Sequence, residues 1–143
     1  MKKIFIDGSA GTTGLRIAER LENRKDIEII RLTEENRKDL DARKKAINEA
    51  DIAFLCLPDA AAIEAVSLIE NDNTIVIDTS TAHRTNPDWA YGFPELSEEY
   101  EDKIKKSKRI AKSLISSRQK SLSETPSILL SAIPLKPKCS ASK

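Results

Sequence analysis

Several residue types are scarce in this sequence. Of 143 residues only two are cysteine, one is histidine and four are glycine, and aromatic residues make up 4%. Two cysteines, Cys56 and Cys139, are too few for a disulfide framework. Without a C-x-x-C pair or a His/Cys cluster, a structural zinc site is not expected. Long apolar runs are also missing. Met1-Lys2-Lys3 leads directly into Ile4-Phe5-Ile6-Asp7, a stretch too short for a signal peptide or a membrane span. A reduced, cytoplasmic setting is therefore expected. Nor is there an excess of one charge. A net charge of +1 gives no reason to expect nucleic acid or an anionic membrane as a partner.

What is present is an ordinary globular composition, 39% hydrophobic and 33% charged, in a chain long enough for one modest domain. Class must come from pattern. Short apolar runs at residues 3–7, 27–32, 52–57 and 74–78 read as buried strands. Between them lie helical stretches. Residues 13–23 repeat Leu15, Ala18 and Leu21 at helical spacing, with Thr12 or Thr13 as a cap. Residues 41–50 show Ala42, Ala46 and Ile47 on one face. Residues 60–69 are Ala-rich, with Asp59 as N-cap. Strands alternating with such helices imply right-handed crossovers and a parallel sheet covered on both faces, an α/β doubly wound architecture of Rossmann type. Residues 79–94, with Pro87, Gly92 and Pro94, read as an ordered loop. Residues 96–106 read as a surface helix with Ser97 as cap and Glu98-Glu99 at its positive end, and residues 109–111 as the start of a further strand.

The most informative segment is Gly8-Ser9-Ala10-Gly11-Thr12-Thr13-Gly14, placed between a predicted strand and a predicted helix. Gly8 permits a sharp turn, Gly11 lets backbone N–H groups approach a pyrophosphate, and Gly14 lets helix and strand pack closely. The helix N-terminus adds unpaired donors and a positive dipole, and Ser9, Thr12 and Thr13 add hydroxyls. The spacing is G-x-x-G-x-x-G rather than G-x-G-x-x-G, and no Lys follows, so this is not a P-loop. The segment is read as a nicotinamide dinucleotide site. The second strand ends at Arg31, with Glu34 and Glu35 beyond it. An arginine there suits a ribose 2′-phosphate and an acid suits a 2′-hydroxyl, so NADP is favoured over NAD.

Four ordered motifs carry a family resemblance: IFIDGSAGTTGLR at 4–16, AFLCLPD at 53–59, VIDTSTAHR at 76–84 and WAYGFPEL at 89–96. Over residues 1–111 the chain resembles the short form of N-acetyl-gamma-glutamyl-phosphate reductase, of the semialdehyde dehydrogenase superfamily. The resemblance implies an NADP-binding domain of an enzyme of arginine biosynthesis that reduces N-acetylglutamyl phosphate to its semialdehyde with release of phosphate. It also implies that Gly8 to Gly14 hold the pyrophosphate and that Leu57 and Pro58 face the cofactor. Asp78, Thr79 and Ser80 would then lie at the crevice near the nicotinamide. Arg84 is a candidate clamp for the substrate phosphate, its guanidinium matching phosphate geometry. His83, the sole histidine, reads as a loop residue rather than a base. The sequence leaves a homo-oligomer open.

The chain also departs from the family. The chemistry the resemblance implies needs a cysteine thiolate to attack the acyl phosphate, with phosphate leaving and hydride reducing the thioester. The family's Pro-Gly-Cys motif is expected just after residues 107–111, where this chain reads Lys112-Ser113-Leu114. Cys56 sits in an apolar strand and reads as a small core residue. Cys139, in Pro137-Lys138-Cys139-Ser140, only loosely echoes the motif, and no catalytic residue is assigned. Character changes at the same point. Residues 112–143 hold five Lys, one Arg and one acid, a charge of +5, so residues 1–111 carry −4 against the whole-chain +1. With nine serines and three prolines this segment reads as a poorly ordered tail, and a shifted reading frame would produce such a break. The organisation expected is thus a cofactor domain over 1–111 and an atypical segment over 112–143, with little or no turnover alone. The alternatives are an aspartate-semialdehyde dehydrogenase-like fragment and a non-catalytic remnant that binds NADP or dimerises.

Overall fold

The computed structural model describes residues 1–91 and 98–111. The proposed tail, Cys139 and the Ser97 cap lie outside them. The elements in chain order are β1 (Lys2–Asp7), α1 (Thr12–Glu22), β2 (Ile27–Ile30), α2 (Leu40–Glu49), β3 (Ile52–Leu55), α3 (Asp59–Ser67), β4 (Ile75–Asp78), β5 (Ala90–Tyr91), α4 (Glu98–Lys106) and β6 (Arg109–Ala111). The strands form one six-stranded sheet in the order β2-β1-β3-β4-β6-β5, with every pairing parallel.

Alternation along each strand divides the core in two. Ile4, Ile6, Ile52, Phe54 and Ile77 face one side with Ile17 and Leu21 of α1 and Ile104 of α4. Phe5, Ala53, Leu55 and Val76 face the other with Ala46 and Ile47 of α2 and Ala65 of α3. The apolar runs look continuous in sequence because both faces are covered. The doubly wound architecture expected from that pattern is therefore the one observed.

Order reverses between β1 and β3. The chain steps outward from β1 to β2, then crosses back to β3 on β1's other flank. Loops diverge at such a point, leaving a crevice beyond the strand C-termini. Register places Asp7, Leu55, Asp78 and Ala111 in one row along that rim.

Local details differ from the sequence reading. In α1 the buried residues are Gly14, Ile17 and Leu21, while Leu15 is 52% exposed. Of the expected Leu15-Ala18-Leu21 face, Leu21 is buried and Ala18 packs against the core, while Leu15 lines the cleft and Ile17 takes an inward place. The N-cap of α1 is Gly11, and Thr12 and Thr13 are already helical. Pro58, not Asp59, caps α3. The Asp59 carboxylate instead accepts from the Thr81 N–H at 2.9 Å and from the Thr81 hydroxyl, tying α3 to the loop after β4. Those bonds, the hydroxyl first, hold the Asp59 pKa below the usual carboxylate value. The loop read over 79–94 contains β5, a strand too short to show a period.

Candidate functional site

The turn from β1 into α1 is built by glycine packing. Gly8 has φ +83°, and a Cβ there would lie 2.3 Å from the Cys56 carbonyl oxygen. A Cβ on Gly14 would lie 2.3 Å from the Gly8 carbonyl oxygen and 2.8 Å from Ser9 Cα. No side chain fits at either position. Gly11 is different. Its φ is −78°, and a Cβ there would meet only the Gly8 carbonyl oxygen, at 3.4 Å. Among the described residues nothing else approaches that position, so the backbone at Gly11 is open to contact from outside.

Gly11 also leaves the helix uncapped. The first bond of α1 runs from the Leu15 N–H to the Gly11 carbonyl, and the cap residue supplies no side-chain acceptor. The N–H groups of Thr12, Thr13 and Gly14 therefore stand at the positive end of the helix dipole without an acceptor among the described residues. This fits a pyrophosphate, whose oxygens only accept.

Beside the turn a cleft of about 880 Å³ opens over the ends of β1 and β2, lined by Gly8, Ser9, Ala10, Arg31, Leu57 and other residues. Of the expected site residues, these five share one cavity. Pro58 is exposed at the α3 cap and is not among the cleft's lining residues. Arg31 forms an exposed ion pair with Glu22.

Two charged clusters escaped the sequence reading. The first lies on the cleft floor. Asp7, the last residue of β1, is buried against Arg43 of α2, whose Nε and Nη2 both donate to Asp7 Oδ2, at 3.1 and 2.8 Å. Arg43 Nη1 donates to Glu64 of α3 at 3.1 Å. Burial works to lower the Arg43 pKa, but the bonds and charges of Asp7 and Glu64 outweigh it and raise it above its ordinary value. The one available clue is a carboxylate ending an otherwise apolar strand directly before the glycine turn.

The second cluster follows β4. Asp78 is completely buried and accepts from the Ser80 N–H and the Ser80 hydroxyl, both at 2.8 Å, and contacts His83 Nδ1 at 2.5 Å. His83 is also stacked on Trp89, ring centroids 4.1 Å apart. It is a loop residue, as expected, but a buried and oriented one. Ser80 is buried in this knot and is not among the residues lining the cleft beside the glycine turn. Arg84 is half-buried, with its Nε buried and unpaired among the described residues.

Cys56 lies one residue past β3, not within it, and is partly buried. Desolvation pushes its thiol up to about 11, which keeps it protonated near neutral pH.

The sequence matches the family described as semialdehyde dehydrogenase, NAD binding domain, over residues 3–107. It is 57% identical over 109 residues to the N-acetyl-gamma-glutamyl-phosphate reductase of Chelativorans sp. (strain BNC1), covering 76% of this chain and 35% of that protein. It is 54% identical over 108 residues to N-acetyl-gamma-glutamyl-phosphate reductase 2 of Pseudomonas putida, covering 76% and 34%. The chain thus spans about a third of the length of the curated relatives it matches. Among solved structures, aspartate semialdehyde dehydrogenase from Francisella tularensis aligns with a TM-score of 0.59 at 16% identity, over 79% of this chain and 36% of that one. Aspartate semialdehyde dehydrogenase with NADP from Candida albicans aligns at 0.56 and 17% identity, over 73% and 37%. These two are likenesses of fold alone, whereas the named reductases share more than half of their aligned residues with this chain. No helix among the described residues is long and apolar enough to cross a membrane. By the match over residues 3–107, by sequence identity and by fold, the chain belongs to the semialdehyde dehydrogenase family through its NAD-binding domain.

Proposed function

We propose that residues 1–111 bind NADP(H) as the cofactor half of an N-acetyl-gamma-glutamyl-phosphate reductase, an enzyme that reduces an acyl phosphate to an aldehyde. The observation that carries this reading is the turn from β1 to α1: two glycines locked by packing, a third free to admit a ligand, and a helix end with bare N–H groups. The pyrophosphate sits on the N–H groups of α1, with the hydroxyls of Ser9, Thr12 and Thr13 at hand. The adenosine half extends into the cleft past Gly8 and Leu57 toward Arg31. Arg31, although paired with Glu22, shares this part of the cleft with Arg37 and Lys38, a cationic set that favours NADP over NAD.

Bound dinucleotide supplies hydride. The chain's own residues hold and orient. Asp78 fixes Ser80 and His83 at the β4 end of the rim, the side on which the nicotinamide lies in this reading. Ser80 is a candidate contact to the nicotinamide end. Arg84, with an unpaired buried Nε, is a candidate partner for the substrate phosphate. β6 pairs Ala111 with Asp78 on the rim. The sequence then continues Lys112-Ser113-Leu114, without the cysteine motif that the resemblance implies. We therefore propose that it binds cofactor without appreciable turnover, as one domain over 1–111 and an atypical segment over 112–143.

Thermal melting with added NADPH tests the proposal. A ligand specific for the native state at about 100 times its Kd adds about 2.7 kcal/mol, a rise of several degrees for a chain of this size. No shift at millimolar NADPH contradicts it. Assay with NADPH and N-acetylglutamyl phosphate tests the inactivity, and turnover at ordinary enzyme rates overturns it.

A further inference from the structure

Four acidic and four basic side chains line the cleft beside the glycine turn. Six of the eight belong to exposed residues, and water screens them. Asp7 and Arg43 are the two that are buried, with 6% and 7% exposure. Their charges act through protein rather than through solvent, and reach an anion in the cleft with the least loss.

For an acid, the position of Asp7 is unfavourable. It ends β1 and is bonded directly to Gly8. Its own carbonyl accepts from the Cys56 N–H at 2.9 Å, and the Gly8 carbonyl accepts from the Gly11 N–H at 3.0 Å. The residue is thereby fixed at the root of the turn that presents the bare amides of α1. A pyrophosphate on those amides brings more negative charge to the same few residues. Left alone, the Asp7 carboxylate would repel it. Arg43 covers that carboxylate. Its Nε and Nη2 both donate to Asp7 Oδ2, and its raised pKa keeps it charged. Nη1 donates to Glu64. Each nitrogen of the guanidinium already holds a partner within the protein, so Arg43 acts on the turn through Asp7 and needs no contact with a ligand.

We propose that Arg43 is a positioning residue for the glycine turn: by neutralising the buried Asp7 carboxylate, it allows the turn to accept an anionic diphosphate. This role is separate from tying α2 and α3 to β1. The inference rests on the cofactor reading above and names a residue, outside the ligand's own contacts, on which that reading depends. Without Arg43 the acids lining the cleft outnumber the bases, and the one unpaired charge is the buried one.

The test uses the full chain, calorimetric titration with NADPH, and circular dichroism to choose a temperature at which each variant is folded. Arg43→Met is expected to lower the affinity at least about tenfold. Combining it with Asp7→Asn, which leaves no charge buried beneath the turn, should return the affinity to within about threefold of the wild type. Asp7→Asn alone separates charge from architecture. It weakens the grip on Arg43, so a purely structural role predicts weaker binding, whereas loss of the negative charge predicts binding at least about threefold tighter than wild type. Where Arg43→Met does not fold, the double variant and Asp7→Asn decide the matter. A double variant weakened by about tenfold or more, or an Asp7→Asn chain that binds no more tightly than the wild type, overturns the inference. Failure of the wild type to bind NADPH at all overturns the cofactor reading and this inference with it, a separate and recognisable result.

Discussion

His83 Nδ1 lies 2.5 Å from Asp78 Oδ2, and the imidazole is stacked on the ring of Trp89. The pair joins β4 to the loop that leads toward β5. Asp78 is fully buried, so removing a donor leaves part of a carboxylate unsatisfied in a dry site. His83→Ala is expected to cost about 2–4 kcal/mol of stability, combining the lost bond with a cavity beside Trp89. Urea unfolding followed by Trp89 fluorescence measures it. A change below about 0.5 kcal/mol contradicts the structural role.

The three glycines of the turn should separate by mechanism. Gly8→Ala forces a Cβ against backbone at positive φ, and Gly14→Ala forces one against the Gly8 carbonyl. Each is expected to destabilise by about 2 kcal/mol or more. Gly11→Ala meets no such obstacle and should cost about 1 kcal/mol at most, the ordinary penalty of alanine at an N-cap. Chemical unfolding of the three variants side by side decides the order.

Arg43 satisfies two carboxylates from different elements, one of them buried. Arg43→Met removes the cation and strands Asp7, so a loss of about 3–5 kcal/mol is expected. Adding Asp7→Asn should recover part of that loss, because no charge then remains buried beneath the cleft. Equal stability of the single and double variants contradicts this account of the pair.

Cys56 should be inert in the folded chain. With its pKa pushed up to about 11, roughly one molecule in ten thousand carries the thiolate at pH 7. Alkylation by iodoacetamide, mapped by mass spectrometry, is expected to spare Cys56 in buffer and to modify it in denaturant. The sign of the pH effect follows from the raised pKa. The unfolded chain ionises this thiol near pH 9 and the folded chain near 11, so the group's contribution to stability is complete below pH 9 and is lost between the two. Cys56→Ala should flatten that part of the stability profile relative to wild type.

The architecture was legible because each strand is a short run of buried apolar residues and each crossover has a helical length. Element ends were less so. The run over 27–32 leaves the ladder after Ile30, since Leu32 lines the cleft instead of pairing, and the run over 52–57 leaves it after Leu55, where Cys56 begins the turn over Gly8. β5 is two residues long and carries no period. At the site, the turn role of Gly8 and the packing role of Gly14 followed from their place between a strand and a helix. The pairing of Asp7 with Arg43 did not, because 36 positions separate the two and only the crossover of α2 over β1 brings them together. The electrostatic state of Arg31 was hidden for the same reason: its partner, Glu22, comes from the neighbouring helix.

The central claim is that a dinucleotide lies on the bare amides at the start of α1, over a residue with no side chain. Titration of NADPH into the wild type and into Gly11→Val, with circular dichroism to confirm that both are folded, tests it most directly. The account predicts saturable binding to the wild type and a loss of at least about tenfold in the variant. Equal affinity in two equally folded proteins would contradict it.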